Sequence, residues 1–320
     1  STQGYSSAAS DVYKRQHLEY VIVSEEQGIE IHWNAEIIRS ITQKEMAKRA
    51  AYLYEKIVEG GSRAFEIPGS DTIMNELACT KISAPSTDKT DITMQIHDIN
   101  TGYEPICGFS IKSELGSAPT LLNASGATNF VYEVSGISDE LAEQINAIDS
   151  KTKILDRIQM ITENGTMKYS HMKNKVFSGN LMLIDTYMEE IIAHLLLLYY
   201  QNQATDSDKL IRIIEEQNPL GYPRKGIYAY KFKKFLCSIA LGMMPSKEWD
   251  GHDEANGGYV IVKDNGEVLA YHIYNRDAFE KYLLNNTKFE RGSTGKHGFA
   301  TLYMENGKRY INLNLQIRFI

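Results

Sequence analysis

Alternating apolar and polar positions open the chain. HLEYVIVS from His17 and GIEIHW from Gly28 show the period of two of half-buried strands, joined by the polar turn SEEQG. The period then lengthens. In ITQKEMAKRAAYLYEKIVEG, residues Met46, Ala50, Leu53, Ile57 and Val58 fall on one helical face, and Gly60-Gly61 ends the helix. SDTIMNELACTKI predicts a second helix, capped by Ser70 or Asp71. Strands are predicted at residues 91–98 and 106–113, around an Asn-Thr-Gly turn, and again at NFVYEVSG.

From about residue 137 to 244 the helical period dominates, through SDELAEQINAI, the apolar run 181–200, SDKLIRIIEEQ and YAYKFKKFLCSIALGM. The last quarter returns to strands. Hairpins are predicted around Asp264-Asn265-Gly266 and Glu305-Asn306-Gly307, with the short helix RDAFEKYLLN between them. Strands in antiparallel pairs and helices in blocks give a mixed α/β or α+β class. The expected layout is residues 17–136 as N-terminal strands and helices with the core, 137–244 as a helical insertion, and 245–320 as a β-rich part packed with the core. Residues 1–16 stand apart. SSAASDVYKRQ reads as the translation of a transposon-based sequencing adaptor, so it is set aside and the native start is expected to be missing.

Composition changes this picture little. With 42% hydrophobic and 23% charged residues the chain is that of a soluble globular protein. The longest apolar run, IIAHLLLLYY, is too short to span a bilayer, and no leader pattern is present, so a cytoplasmic location is expected. Cys79, Cys107 and Cys237 are scattered and odd in number, which argues for reduced core thiols. His171, His194 and His252 lack metal-ligand spacing. WDGHDEANGG, despite its three acids, lacks the ligand spacing of an EF-hand loop and reads as a turn. A net charge of −7 argues against a general polyanion binder but is compatible with a locally basic groove.

One strand carries a chemical anomaly. In GFSIKSELGSAPTLLNASGATNF, Lys112 sits among serines where a buried strand would place apolar residues, and a desolvated lysine needs a negative partner. Period-two alternation puts Ser110, Lys112 and Glu114 on one face, and Asp91 on the preceding strand can meet them. One reading is an ordinary cross-strand ion pair between Asp91 and Lys112. The other is an acid and a lysine arranged around a divalent cation and a phosphate.

The second arrangement resembles the PD-(D/E)xK nuclease superfamily, with SxK in place of the usual acid-x-Lys. KTDITMQIHD, GFSIKSELGSAPTLLNASGATNF, GGYVIVKDNGEVLAYHIYNRDAFEKYLLNNTKFE and ENGKRYINLNLQIRF together look like HpaII-type restriction endonucleases, over roughly residues 82–320. The resemblance implies a central mixed sheet flanked by helices and Mg²⁺-dependent cleavage of double-stranded DNA at a short palindromic, CCGG-like site. It also implies a homodimer and a cognate DNA methyltransferase as genetic partner. Asp91 and the Ile111 carbonyl would hold the ion and Lys112 would stabilise the nucleophile or the charged transition state. The missing second acid would come from Glu76, with Glu114 and Glu133 as alternatives. A catalytically inactive DNA-binding derivative is the rival reading, and the absence of a Gly-rich phosphate loop ranks a small-molecule enzyme last.

DNA contacts are expected from Asn123, Ser125, Thr128 and Asn129 in the loop after the lysine strand, unless these form an internal capping network. Lys288, Arg291 and Lys296 in NNTKFERGSTGKHG can meet phosphates or guanine edges, unless that loop is simply solvated. PRKGIYAYKFKKF is a further basic stretch, readable as a DNA-backbone patch or as a charged helix face.

Overall fold

The N-terminal alternation folds into strands as predicted, with one more strand than the pattern shows. The computed structural model describes residues 18–24, 28–60, 66–79, 90–95, 102, 104–115, 118–263, 265–272, 275–292 and 299–320. In it β1 (Leu18–Ser24) and β2 (Gly28–Trp33) pair antiparallel, and β3 (Glu36–Ile41) turns back on β2. The turn is Asn34-Ala35, with φ of 51° and 68°. Two left-handed residues make the hairpin turn that suits strand twist, and the alanine hides the usual Asn-Gly signature. Helix α1 (Gln43–Gly60) starts on a capping box. The Thr42 N–H donates to Glu45 Oε2 (3.0 Å) and the Glu45 N–H donates to Thr42 Oγ1 (3.3 Å). Helix α2 (Ser70–Glu76) is shorter than predicted, and neither Ser70 nor Asp71 caps it. The cap position is Gly69 in the left-handed region, and Ala78 at φ 52° leads the chain out.

These elements belong to one compact unit, residues 1–86 with 115–117; residues 87–114 and 118–320 form a second. The second unit thus unites the lysine strand, the helical middle and the C-terminal strands. In chain order it contains β4 (Ile92–Gln95), β5 (Ile106–Ser113), β6 (Thr120–Leu122), β7 (Asn129–Ser135), α3 (Asp139–Ala147), α4 (Lys153–Asn164) and β8 (Thr166–Met172). Four helices, α5 (Lys175–Ile184), α6 (Met188–Tyr200), α7 (Ser207–Gln217) and α8 (Ile227–Ala240), come next. β9 (Gly258–Val262), β10 (Val268–His272), α9 (Arg276–Asn285), β11 (Thr287–Phe289), β12 (Leu302–Glu305), β13 (Lys308–Asn314) and β14 (Ile317–Phe319) complete it.

Its strands form three sheets, ordered β10-β9-β5-β4, β11-β14-β6 and β12-β13-β7-β8. All pairs are antiparallel except β5 with β9, so the first sheet is the mixed one. Two expectations are corrected here. The apolar run 181–200 is not one helix, because Asp185 is extended and its Oδ1 accepts the Tyr187 N–H (2.9 Å), which turns the chain between α5 and α6. The helical middle also contributes a strand, β8, whose TMKYSHM alternates polar and half-buried positions against β7.

Helix α6 occupies the core, with Ile191, Ile192, Leu195 and Leu196 fully buried and Glu190, His194 and Leu197 forming a partly open flank. Tyrosines tie it to the antiparallel sheet: Tyr132 donates to the Ala193 carbonyl (2.7 Å) and Tyr200 to the Asn314 carbonyl (3.0 Å). Among the described residues no helix is long and apolar enough to cross a membrane.

Candidate active site

The mixed sheet is assembled around Gly108. Its N–H donates to Asn256 Oδ1 (2.8 Å), and its carbonyl accepts from the Gly257 N–H (2.7 Å). A Cβ at this position would lie 2.3 Å from Thr90 Cγ2 and 2.9 Å from the Glu254 carbonyl oxygen. Only glycine lets the segments around residues 90 and 254–258 close on β5 from both sides.

That closure sets the register. Ser110 lies beside Tyr259 and Lys112 beside Ile261, while Ile92 faces Phe109 and Tyr259 faces Tyr271. Asp91, one residue before β4, therefore stands level with Ser110. Asp91, Ser110, Tyr259 and Tyr271 form one row across the sheet face, and Lys112, Ile261 and Leu269 form the next.

Asp91 is locked to β5. Its N–H donates to the Phe109 carbonyl (2.8 Å), and its Oδ2 accepts the Ile111 N–H (2.6 Å) and, more weakly, Ser110 Oγ (3.4 Å). The N–H and C=O of a strand residue leave on the same edge, so the Ile111 carbonyl emerges beside this carboxylate, just beyond the end of β4. Ser110 is buried and Lys112 half-buried. No ion pair joins Asp91 to Lys112 among the described residues, so the plain cross-strand ion pair is not formed.

Helix α9 covers the face with aromatic rings. Phe279 lies 5.0 Å from Tyr259, and Tyr282 lies 5.1 Å from Tyr271. The Tyr282 hydroxyl donates to Glu114 Oε1 (3.4 Å); burial first, and then the Glu114 charge, raises the Tyr282 pKa well above the usual tyrosine range. The helix is itself anchored by a buried acid, Glu280, which takes Lys234 at 2.7 Å and Arg276 at 3.3 Å.

The other expected acids are each paired with a cation. Glu76 is in the first unit, where Arg49 Nε holds its carboxylate at 2.6 Å. Glu133 is on β7 and paired with Lys308 at 2.9 Å. Among the described residues no three acids, histidines or cysteines cluster as a metal cage. Asp91 and the Ile111 carbonyl are hard oxygen donors on one edge. Such a pair suits a small divalent ion that keeps several waters and needs only one or two carboxylates.

The loop after β5 is a network. Ser125 caps a short 3₁₀ turn (Gly126–Thr128), accepting the Ala127 N–H, and exchanges hydrogen bonds with Thr128. Buried Asn314 donates to the Ser125 carbonyl, to Thr128 Oγ1 and to Asn129 Oδ1. Thr128 and Asn129 are buried, so for Ser125, Thr128 and Asn129 the internal network is the reading the geometry realises. Asn123 remains exposed.

Lys288 is half-buried on β11 opposite Arg318. Arg291 is exposed and hydrogen-bonded to Tyr199. Lys296 lies outside the described residues, as do residues 96–101 and Asp264. On α8, Lys231 is bound to Asp185 (2.8 Å) and Lys234 to Glu280, so these two lysines stabilise the fold instead of presenting a free basic face. Sequence reasoning misses the aromatic wall: YVIV and AFEKYLL show apolar periodicity but not that they cover the Asp91 row. It also misses a 380 Å³ depression lined by His171, Lys173, Lys175, Tyr303 and Asn312, on the sheet that β8 completes.

A mixed α/β protein with an acid and a lysine on adjacent rows of one sheet face is consistent with a nuclease. The chain belongs to the HpaII restriction endonuclease family, whose model matches residues 10–319. It is 40% identical over 305 residues to the type II restriction enzyme HpaII of Haemophilus parainfluenzae, covering 94% of this chain and 84% of that one. The family match begins within the segment read as adaptor-derived. No solved structure matches. The chain is accordingly a type II restriction endonuclease with DNA as its substrate, a class that generally uses divalent metal ions.

Proposed function

We propose that the enzyme hydrolyses phosphodiesters of double-stranded DNA with Mg²⁺, at a short palindromic site of the CCGG type, on a PD-(D/E)xK-like core made of β4, β5, β9 and β10. The observation carrying this reading is the 2.6 Å bond from the Ile111 N–H to Asp91 Oδ2, which seats a carboxylate beside the Ile111 carbonyl and one row from Lys112. Asp91 and the Ile111 carbonyl would hold the ion. When bound, Mg²⁺ supplies a Lewis acid for the attacked phosphate and lowers the cost of deprotonating water. Ser110 keeps the Asp91 carboxylate turned toward Ile111. Lys112 places its ammonium where negative charge grows on the phosphate, in a partly dehydrated setting that strengthens the attraction.

The β-rich C-terminal segment supplies recognition elements on the same unit. Lys288 and Arg291 contact the DNA backbone or guanine edges, and Asn123 extends that surface. A palindromic site favours a homodimer, since a two-fold operator matches a two-fold enzyme. Such an enzyme acts in the cytoplasm beside a methyltransferase that protects the same site.

The test is to incubate purified protein with plasmid, with and without Mg²⁺, and sequence the ends. Discrete fragments sharing one palindrome at their termini are expected, only with the metal. Retarded but intact DNA would identify an inactive DNA-binding derivative instead.

A further inference from the structure

We infer that Tyr259 is a positioning residue for Asp91, its hydroxyl completing the hydrogen bonding of that carboxylate, directly or through one water, when a divalent ion loads the site. This rests on Asp91 being the ion-holding residue.

Tyr259 is fully buried on β9, and its hydroxyl has no hydrogen-bond partner among the described residues. Buried phenols ordinarily find a partner, and one without it calls for an explanation. Among the described residues two other buried polar atoms are orphaned, Arg157 Nε and Asn314 Oδ1, but each belongs to a side chain whose nitrogens otherwise bond well. In Tyr259 the orphan is the only polar atom of the side chain.

Its surroundings point one way. The ring is clamped by Phe279 at 5.0 Å and Phe319 at 6.5 Å, so the hydroxyl cannot swing to solvent. Tyr259 shares the sheet row with Ser110 and Asp91. Burial, then the neighbouring Tyr282 and Asp91, keep the phenol protonated and able to donate. Tyr282 already donates to Glu114. Asp91 uses Oδ2 for Ile111 and Ser110, whereas Oδ1 has no partner among the described residues. An unused donor and an unused acceptor therefore share one row of the sheet face, either side of Ser110. Groups that orient metal-binding carboxylates typically change affinity or activity by roughly 10- to 100-fold when removed.

The experiment compares the full chain with Tyr259→Phe, which keeps the ring and deletes the hydroxyl. Three quantities are read: thermal unfolding without divalent ions, Mn²⁺ binding by the electron paramagnetic resonance of free ion, and the Mg²⁺ concentration giving half-maximal plasmid cleavage. Unfolding should be unchanged or shifted upward, since no bond is lost in the metal-free protein. Mn²⁺ affinity should fall, and the Mg²⁺ midpoint rise, by roughly tenfold or more. Wild-type values for both ion measurements would overturn the inference, as would a lowered unfolding temperature accompanying their loss. Asp91→Ala in the same assays separates the two levels. If it still cleaves, the assignment of Asp91 fails. If it is inactive while Tyr259→Phe behaves as wild type, only the role of Tyr259 fails.

Discussion

Replacing Lys112 by methionine separates its proposed catalytic role from any structural one. The side chain is half-buried on β5 and takes part in no ion pair among the described residues. Methionine conserves most of its length and removes the charge. Stability should therefore change by no more than about 0.5 kcal/mol, and a small gain is reasonable because a partly desolvated cation is relieved. Catalysis should respond very differently. An ammonium about 4 Å from a phosphate oxygen, at an effective dielectric of about 20, contributes about 4 kcal/mol. If most of that is realised in the transition state, single-turnover cleavage should slow by roughly a thousandfold. Plasmid cleavage with enzyme in excess measures the rate, and urea unfolding of the same preparation measures stability. A rate within tenfold of wild type would refute the assignment of Lys112. So would a loss of about 2 kcal/mol or more in stability, since the slowing would then have a structural origin.

Three further outcomes follow from the same physical reasoning. Asn314→Ala should destabilise the protein by about 3 kcal/mol in urea unfolding, because its amide satisfies Ser125, Thr128 and Asn129 together; a loss under about 1 kcal/mol would deny that the loop depends on it. Burial holds the His194 imidazole below its ordinary pKa of 6.5, only partly opposed by Glu190, so the unfolded chain takes up that proton at higher pH than the native one. Stability should then fall as pH drops through about 6.5, and His194→Gln should flatten that part of the curve; an unchanged slope would exclude this histidine. Lys288→Gln with Arg291→Gln should reduce the salt dependence of DNA binding by roughly two in the log–log slope, measured by anisotropy, whereas an intact slope would remove both from the DNA surface.

Local signals in the chain carried much of this structure. The alternation in β5, the Asn-Gly turn between β12 and β13 (Asn306 φ 49°, Gly307 φ 74°) and the period of α1 each produced the expected element. Where local signals were ambiguous the reading failed for identifiable reasons. β3 hid behind an Asn-Ala turn, and β8 is a polar strand whose partner β7 alone explains it. The break in 181–200 depends on one aspartate oxygen. The candidate site divides in the same way. The row-mates Asp91 and Ser110 and the lysine beside them were legible because a charged strand position is anomalous in itself. Tyr259 was not, because a tyrosine in an apolar run looks like ordinary core until the register places it level with Ser110.

The parallel pairing of β5 with β9 also bears on the order in which the chain is made. Ser110 and Lys112 emerge from the ribosome long before Tyr259 and Ile261, the residues that flank them, and Asn256 and Gly257, which fix Gly108, come equally late. Contacts this distant in sequence form slowly and only after both segments are present. A nascent or truncated chain ending before Gly258 would carry the acid and the lysine but not the strand that holds them in register. If the proposed site is the cutting site, such fragments should be unable to cut the DNA of the cell that makes them, and the topology would delay a hazardous activity until synthesis has passed the point of assembly.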